Sequence, residues 1–200
     1  MNASTKALPE GYVQSDEINL KTNKRLAIGL NIFGFFVAVA SFFLLSSFAA
    51  SVRPSLMNTS GRMTVGTAAV LVALVAILMT VHELVHGFFF WIFTRSKSVF
   101  ALGVFYAYAG APDWYLPARQ YAIAAVGPLV IVGVLGLLLM LLMPESWMLF
   151  LLFVVAFNTG ESMGDLLIFT RLFKVSPTCL TNDTGDIITF YERPSTTVHT

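Results

Sequence analysis

Residues 70–93 read VLVALVAILMTVHELVHGFFFWIF, and they are the most informative part of the chain about its structure. It belongs to an apolar run over residues 64–93, which is long enough to cross a bilayer as a helix because about 20 residues suffice. Three ionisable side chains, those of His82, Glu83 and His86, interrupt the run. Each ionisable group inside a membrane costs about 2.5–3.5 kcal/mol on insertion scales, so their presence here indicates a functional site.

The composition is that of an integral membrane protein. Of the 200 residues, 56% are hydrophobic and 12% are charged, whereas soluble domains carry about 25% charged residues. The net charge is +1 and the basic residues form no stripe, so no nucleic acid partner is expected. Because Cys179 is the single cysteine, a metal ion would be bound by His, Asp or Glu side chains.

Four apolar runs are long enough to span a bilayer, and they cover residues 26–50, 64–93, 120–143 and 146–173. We predict an all-α membrane protein with four transmembrane helices, a short cytosolic-side β-hairpin or loop, and a polar C-terminal tail. The predicted divisions are a cytosolic N-terminal tail (1–25), an accessory helix (26–50), a three-helix core (64–173) including an interfacial loop (94–119), and a cytosolic C-terminal tail (174–200).

The distribution of basic residues predicts the orientation in the bilayer. With the N-terminus inside, ten Lys and Arg residues fall on cytosolic segments, and only Arg53 and Arg62 fall outside. Both termini are therefore expected to be cytosolic. We place the chain as a multi-pass protein in the lipid bilayer of a prokaryotic plasma membrane.

Two segments outside the predicted helices have the character of β-strands. Residues 99–108, VFALGVFYAY, are too few to span a bilayer and are rich in β-branched and aromatic side chains. This composition favours a strand or hairpin at the interface, although an aromatic loop without a function would have the same composition. In the tail, residues 183–186 (DTGD) predict a turn and residues 187–191 (IITFY) predict a short strand.

The spacing of the two histidines is typical of a metal site. Residues four apart lie on one face of an α-helix, so His82 and His86 can reach one ion while Glu83 approaches a ligand water. This is the geometry of zinc-dependent peptide hydrolysis, and Zn2+ is the predicted cofactor. The alternative is that these side chains only form hydrogen bonds between helices.

The fourth apolar run offers candidates for a third ligand. Its polar residues, which share one helical face at relative positions 0, 3, 4 and 7, are Asn158, Glu161, Ser162 and Asp165. Counted from the outer end of each helix, His82 and Asp165 both lie 18 residues in, at a depth of roughly 27 Å. Depth favours Asp165 as the third ligand, and Glu161, one turn away, is the alternative.

The third apolar run contains Gly127 and Pro128 at a depth close to that of Asp165. A glycine lets helix backbones approach each other, and a proline inside a helix leaves a carbonyl without its usual partner. We therefore expect close helix packing and a freed carbonyl at this level.

Two motifs of this sequence resemble those of the site-2 protease clan of intramembrane metalloproteases: His-Glu-x-x-His at residues 82–86 and the polar residues within 158–165. That clan has a three-helix core with His-Glu-x-x-His on its first helix and an Asp ligand on its third. From residues 8–12 to residues 183–186, the chain is similar to a family of small zincin peptidases of unknown function. The resemblance implies Glu83 as the catalytic general base and a catalytic, oxyanion-stabilising role for Asn158. The zinc ligands that it implies are His82, His86 and Asp165.

The function predicted on these grounds is hydrolysis of peptide bonds in a membrane protein or membrane-proximal peptide, near the cytosolic leaflet. A metal transporter or sensor is a second hypothesis, in which the histidines, Glu161 and Asp165 form a transit site. A catalytically silent scaffold, which keeps its metal only to hold the helices together, is a third.

Overall fold

The computed structural model describes residues 3–55, 64–102 and 107–194. Most of these residues are helical, as the apolar runs predict. The helices, numbered in chain order, are α1 (Lys24–Val52), α2 (Val65–Thr94), α3 (Ala118–Leu142), α4 (Met148–Glu161) and α5 (Met163–Leu172). Within the described ranges, α1, α2 and α3 are each long and apolar enough to cross a membrane, in line with a multi-pass membrane protein.

The last predicted helix is broken rather than continuous. The pair formed by α4 and α5 bends by 45° at Ser162, so the described chain has three spanning helices, or four if the bent pair counts as one. The Ser162 hydroxyl donates to the Asn158 carbonyl at 2.8 Å, and Gly160 and Gly164 flank the break. Small and hydroxyl residues of this kind are a common cause of helix kinks. The break leaves Asp165 in the first turn of α5.

A four-stranded antiparallel sheet corrects the all-α prediction. Its strands lie in the order β1-β6-β5-β4. Their bounds are β1 (Val13–Asn19), β4 (Tyr115–Pro117), β5 (Leu180–Asp183) and β6 (Ile187–Glu192). The predicted strand in the C-terminal tail is confirmed as part of β6. The N-terminal strand β1 was missed because apolar and polar residues alternate only weakly in its sequence, VQSDEIN. The strand is held in place by pairing with β6.

The aromatic segment after α2 forms the predicted hairpin over the residues that the structure describes. Strands β2 (Val99–Leu102) and β3 (Ala107–Gly110) pair antiparallel, with Val99 opposite Gly110. Residues 103–106, in the middle of the predicted segment, lie outside the described residues.

The chain divides into two compact units. The first contains residues 1–27, 83–127 and 165–200 and includes the sheet. Its core joins the sheet to the end of α2 and the start of α3 through side chains such as Phe90, Leu116, Tyr121, Cys179 and Phe190. The turn between β5 and β6 packs on β3, since a methyl group added at Gly185, which has a φ of +97°, would overlap the Tyr108 ring.

The second unit contains residues 28–82 and 128–164. Its core includes Met140, Leu151, Leu152 and Val155, while α1 exposes many large apolar side chains, as a helix surrounded by lipid does. Helices α1 and α4 meet at two glycines: a Cβ on Gly34 would lie 2.5 Å from the Gly160 carbonyl oxygen. Small residues allow this backbone contact between membrane helices.

Candidate metal centre

His86 is held by a hydrogen bond to the backbone of α3. Its side chain is buried, and Nδ1 lies 2.9 Å from the Ala124 carbonyl oxygen. Because a carbonyl can only accept, Nδ1 carries a hydrogen, and only Nε2 can offer a lone pair to a metal ion. That Nε2 atom lies 3.3 Å from Asp165 Oδ1. Two ligand atoms on a tetrahedral zinc ion, each about 2.0–2.1 Å from the metal, are about 3.3 Å apart, so this pair fits a shared ion.

His82, one turn earlier on α2, is oriented by Asn158. The His82 side chain is buried, and its Nδ1 lies 3.3 Å from Asn158 Oδ1. The Asn158 amide nitrogen donates to the Pro128 carbonyl at 3.3 Å, so Oδ1 is the atom that accepts from His82. The lone pair of His82 is therefore on Nε2 as well. Metal-ligating histidines are usually held in this way, with the second ring nitrogen donating to an oxygen.

The structure brings together the residues that the sequence selected as ligands. Three side chains, those of His82, His86 and Asp165, each offer one possible ligand atom, and these atoms lie within 4.8 Å of one another. This is the single such group found among the described residues. The donor set of two imidazoles and one carboxylate suits a catalytic zinc, which takes three protein ligands and keeps a fourth position open. The residues present therefore fit a zinc ion.

Glu161, the alternative ligand, is not part of the His-His-Asp group and lies on the Nδ1 side of the His82 ring. Its carboxylate oxygen is 3.8 Å from His82 Nδ1, the nitrogen that also faces Asn158. The sequence placed Glu161 and Asp165 on one continuous face, but α4 ends at Glu161 and Asp165 belongs to α5. Glu161 is thus a neighbour of the His82 ring on its hydrogen-bonding side.

Asn158, for which the resemblance implies an oxyanion-stabilising role, lies beside His82. The side chain is 1% exposed, and its two polar atoms contact His82 and the Pro128 carbonyl. These contacts fit a residue that orients a ligand. Glu83 follows His82 on α2 and is half-buried, and its charge acts on both His86 and Asp183.

Sequence reasoning missed Asp183, a buried acidic residue near the candidate metal centre. Its carboxylate accepts hydrogen bonds from the Tyr121 hydroxyl and, at 2.6 Å, from the Gly185 amide. Burial raises the pKa of Asp183 to about 7, and the negative charge of Glu83 adds to the rise. The residues DTGD signalled a turn, in which an aspartate commonly caps the backbone two residues on. Nothing in that pattern showed that the carboxyl is buried against α3.

The raised pKa of Asp183 predicts a pH-dependent stability. In the unfolded chain the group ionises near 3.8, whereas in the folded protein it stays protonated up to about 7. Ionisation therefore favours the unfolded state progressively as pH rises from about 4 to 7. Thermal unfolding of the metal-free protein in detergent is expected to shift down over this range, and Asp183→Asn is expected to reduce the shift. The matched control is Asp113→Asn at an exposed position; an equal shift in wild type and Asp183→Asn would contradict the assignment.

The features described so far are typical of a metallopeptidase of the zincin type: a His-Glu-x-x-His motif whose two imidazoles are buried, a possible His-His-Asp metal site, and helices long and apolar enough to cross a membrane. The chain belongs to the family described as "Putative zincin peptidase", whose model matches residues 75–180, more than half of the sequence. The match covers the whole ligand group and ends before Asp183. No curated protein and no solved structure is significantly similar to the chain.

Proposed function

We propose that the chain is an intramembrane zinc metalloprotease of the site-2 protease type. It would hydrolyse peptide bonds of membrane or membrane-proximal proteins near the cytosolic leaflet, with both termini in the cytosol of a prokaryotic cell. The observation that carries this proposal is the convergence of ligand atoms from His82, His86 and Asp165 within 4.8 Å. Membership of a zincin peptidase family supports peptide hydrolysis as the reaction.

Each residue of the site has a distinct part in the proposed reaction. His82, His86 and Asp165 would hold zinc, which supplies a Lewis acid that polarises the scissile carbonyl and lowers the pKa of a ligand water. Glu83 accepts a proton from the attacking water and then donates it to the leaving amine nitrogen. Asn158 and the Ala124 carbonyl keep the two imidazoles in the tautomer with Nε2 unprotonated.

The β2–β3 hairpin is the proposed support for an extended substrate. A helical substrate must unwind before hydrolysis, because its amide carbonyls are engaged in helix hydrogen bonds. In the part of the chain that the structure describes, β2 pairs with β3 alone, and its residues Val99 and Phe100 are exposed. An extended peptide can add to such a strand through backbone hydrogen bonds, with specificity set by its alternating side chains.

The test is metal-dependent cleavage by the purified protein in proteoliposomes. The substrates are single-span model proteins with a fluorophore on the cytosolic side, together with β-casein as a soluble probe. We expect about one zinc per chain by elemental analysis, loss of cleavage on treatment with 1,10-phenanthroline, and recovery on adding zinc. Cleavage that persists in protein shown to be metal-free would overturn the proposal.

The same preparation distinguishes the rival functions. Bound zinc with no cleavage of any probe would instead favour a metal-stabilised scaffold. Zinc flux across the proteoliposome membrane that continues after Glu83→Gln would favour a transporter or sensor, because transport does not need a general base.

A further inference from the structure

Pro128 lies inside α3, ten residues after the helix begins, at a position where most residues would donate a backbone hydrogen bond. In an α-helix the amide of residue i donates to the carbonyl of residue i−4, which for residue 128 is Ala124. Proline has no amide hydrogen, so the Ala124 carbonyl cannot receive this bond. Ala124 is fully buried, and an unpaired carbonyl there would be costly.

The Ala124 carbonyl receives its hydrogen bond from His86. The distance from Nδ1 to the oxygen is 2.9 Å, an ordinary length for such a bond. The neighbouring Gly127 allows this approach of α2 to α3, since a methyl group added at Gly127 would overlap the Phe89 ring. The Gly-Pro pair thus combines close packing with an available acceptor.

We infer that Pro128 is a positioning residue for the metal ligand His86, and that it acts through the amide hydrogen it lacks. The inference rests on the proposed zinc site. Because Pro128 cannot donate to the Ala124 carbonyl, this oxygen is available to His86 Nδ1, and the ring turns its Nε2 towards Asp165. A residue with an amide at position 128 would donate to the same oxygen, which would hold the carbonyl along the helix axis and away from His86.

The carbonyl of Pro128 contributes to the orientation of the other histidine. It accepts from the Asn158 amide at 3.3 Å, which turns Asn158 Oδ1 towards His82 Nδ1. Pro128 therefore affects both imidazoles. It acts on His86 through the Ala124 carbonyl oxygen and on His82 through Asn158.

The experiment compares two substitutions that separate the missing hydrogen from the proline ring. Pro128→Ala introduces an amide hydrogen. Replacement of Pro128 by lactic acid, the α-hydroxy analogue of alanine, introduces a backbone ester and still lacks that hydrogen. Gly133→Ala, at a position in α3 with open space around the glycine, is the matched control. Zinc affinity is measured by competition with a chromogenic chelator, and the hydrogen bond from His86 Nδ1 to the Ala124 carbonyl by ¹⁵N NMR of the metal-free, histidine-labelled protein.

For Pro128→Ala we expect the zinc Kd to rise about 10-fold or more, the cost typical of losing a partner that orients a metal ligand. The His86 Nδ1 hydrogen should lose its hydrogen bond, and its exchange with water should become faster. The lactic acid variant and Gly133→Ala should keep the wild-type affinity and the His86 hydrogen bond. The inference is overturned if Pro128→Ala keeps both, or if the ester variant loses them as Pro128→Ala does.

The readouts separate failure of this inference from failure of the proposed function. If the wild-type protein binds no zinc, the proposed function is wrong, but the His86 hydrogen bond in the metal-free protein still decides whether Pro128 positions His86. If Pro128→Ala does not fold, loss of that hydrogen bond in the ester variant would overturn the inference, since the proline ring and not the missing hydrogen would then position His86.

Discussion

Glu83→Gln is expected to retain zinc and to lower the rate of peptide hydrolysis by about 10²–10⁴-fold, the usual contribution of a general base. Glutamine has the same shape as glutamate but cannot accept a proton from water at neutral pH. Glu83 is also absent from the group of possible ligand atoms, so the metal content should not change. The measurement pairs elemental analysis with initial rates of cleavage in proteoliposomes.

The control for this variant is Glu10→Gln, which removes a carboxylate at an exposed position in the N-terminal tail. It should match the wild-type rate. Turnover by Glu83→Gln at the wild-type rate would exclude Glu83 as the base. A loss of rate together with a loss of zinc would assign Glu83 to metal binding instead.

Asp165→Ala is expected to abolish stable zinc binding, whereas Glu161→Ala should retain about one zinc per chain. Removal of a ligand should weaken affinity by more than the 10- to 100-fold that loss of an orienting partner costs, so we expect a fall of more than about 100-fold. Glu161 faces the Nδ1 side of His82, and its removal leaves the His-His-Asp group unchanged. Equilibrium dialysis against buffered zinc measures both variants.

The opposite pattern would reverse the assignment of the third ligand. If Glu161→Ala lost the metal and Asp165→Ala kept it, the carboxylate ligand would come from α4. Both variants must be shown to fold, for which unfolding temperatures of the metal-free proteins are the appropriate check.

The apolar helices long enough to span a bilayer, and the shared helix face of His82 and His86, could be predicted from the sequence because both follow from short-range rules. Apolar length defines a spanning helix, and a four-residue spacing places His82 and His86 on one face. The freed carbonyl near Pro128 was predicted from the chemistry of proline alone. Its partner, His86, could be identified only once the packing of α2 against α3 was known.

The features that sequence reasoning missed depend on contacts between distant parts of the chain. Strand β1 forms by pairing with β6, more than 160 residues away, and its own residues carry little strand signal. The break at Ser162 was hidden within an apolar run that fits a single helix. Asp183 looked like an ordinary turn residue, and its burial against Tyr121 comes from the packing of the sheet on α3.

The glycine contact between α1 and α4 bears on how small a working version of this protein can be made. The family match begins at residue 75 and leaves out α1, and the three-helix core predicted from sequence leaves it out as well. Yet Gly34 lies against the backbone of Gly160, one residue before Glu161 and two after Asn158. A shortened chain without α1 would expose that stretch of α4, so designs for crystallisation or activity screening should keep the first helix.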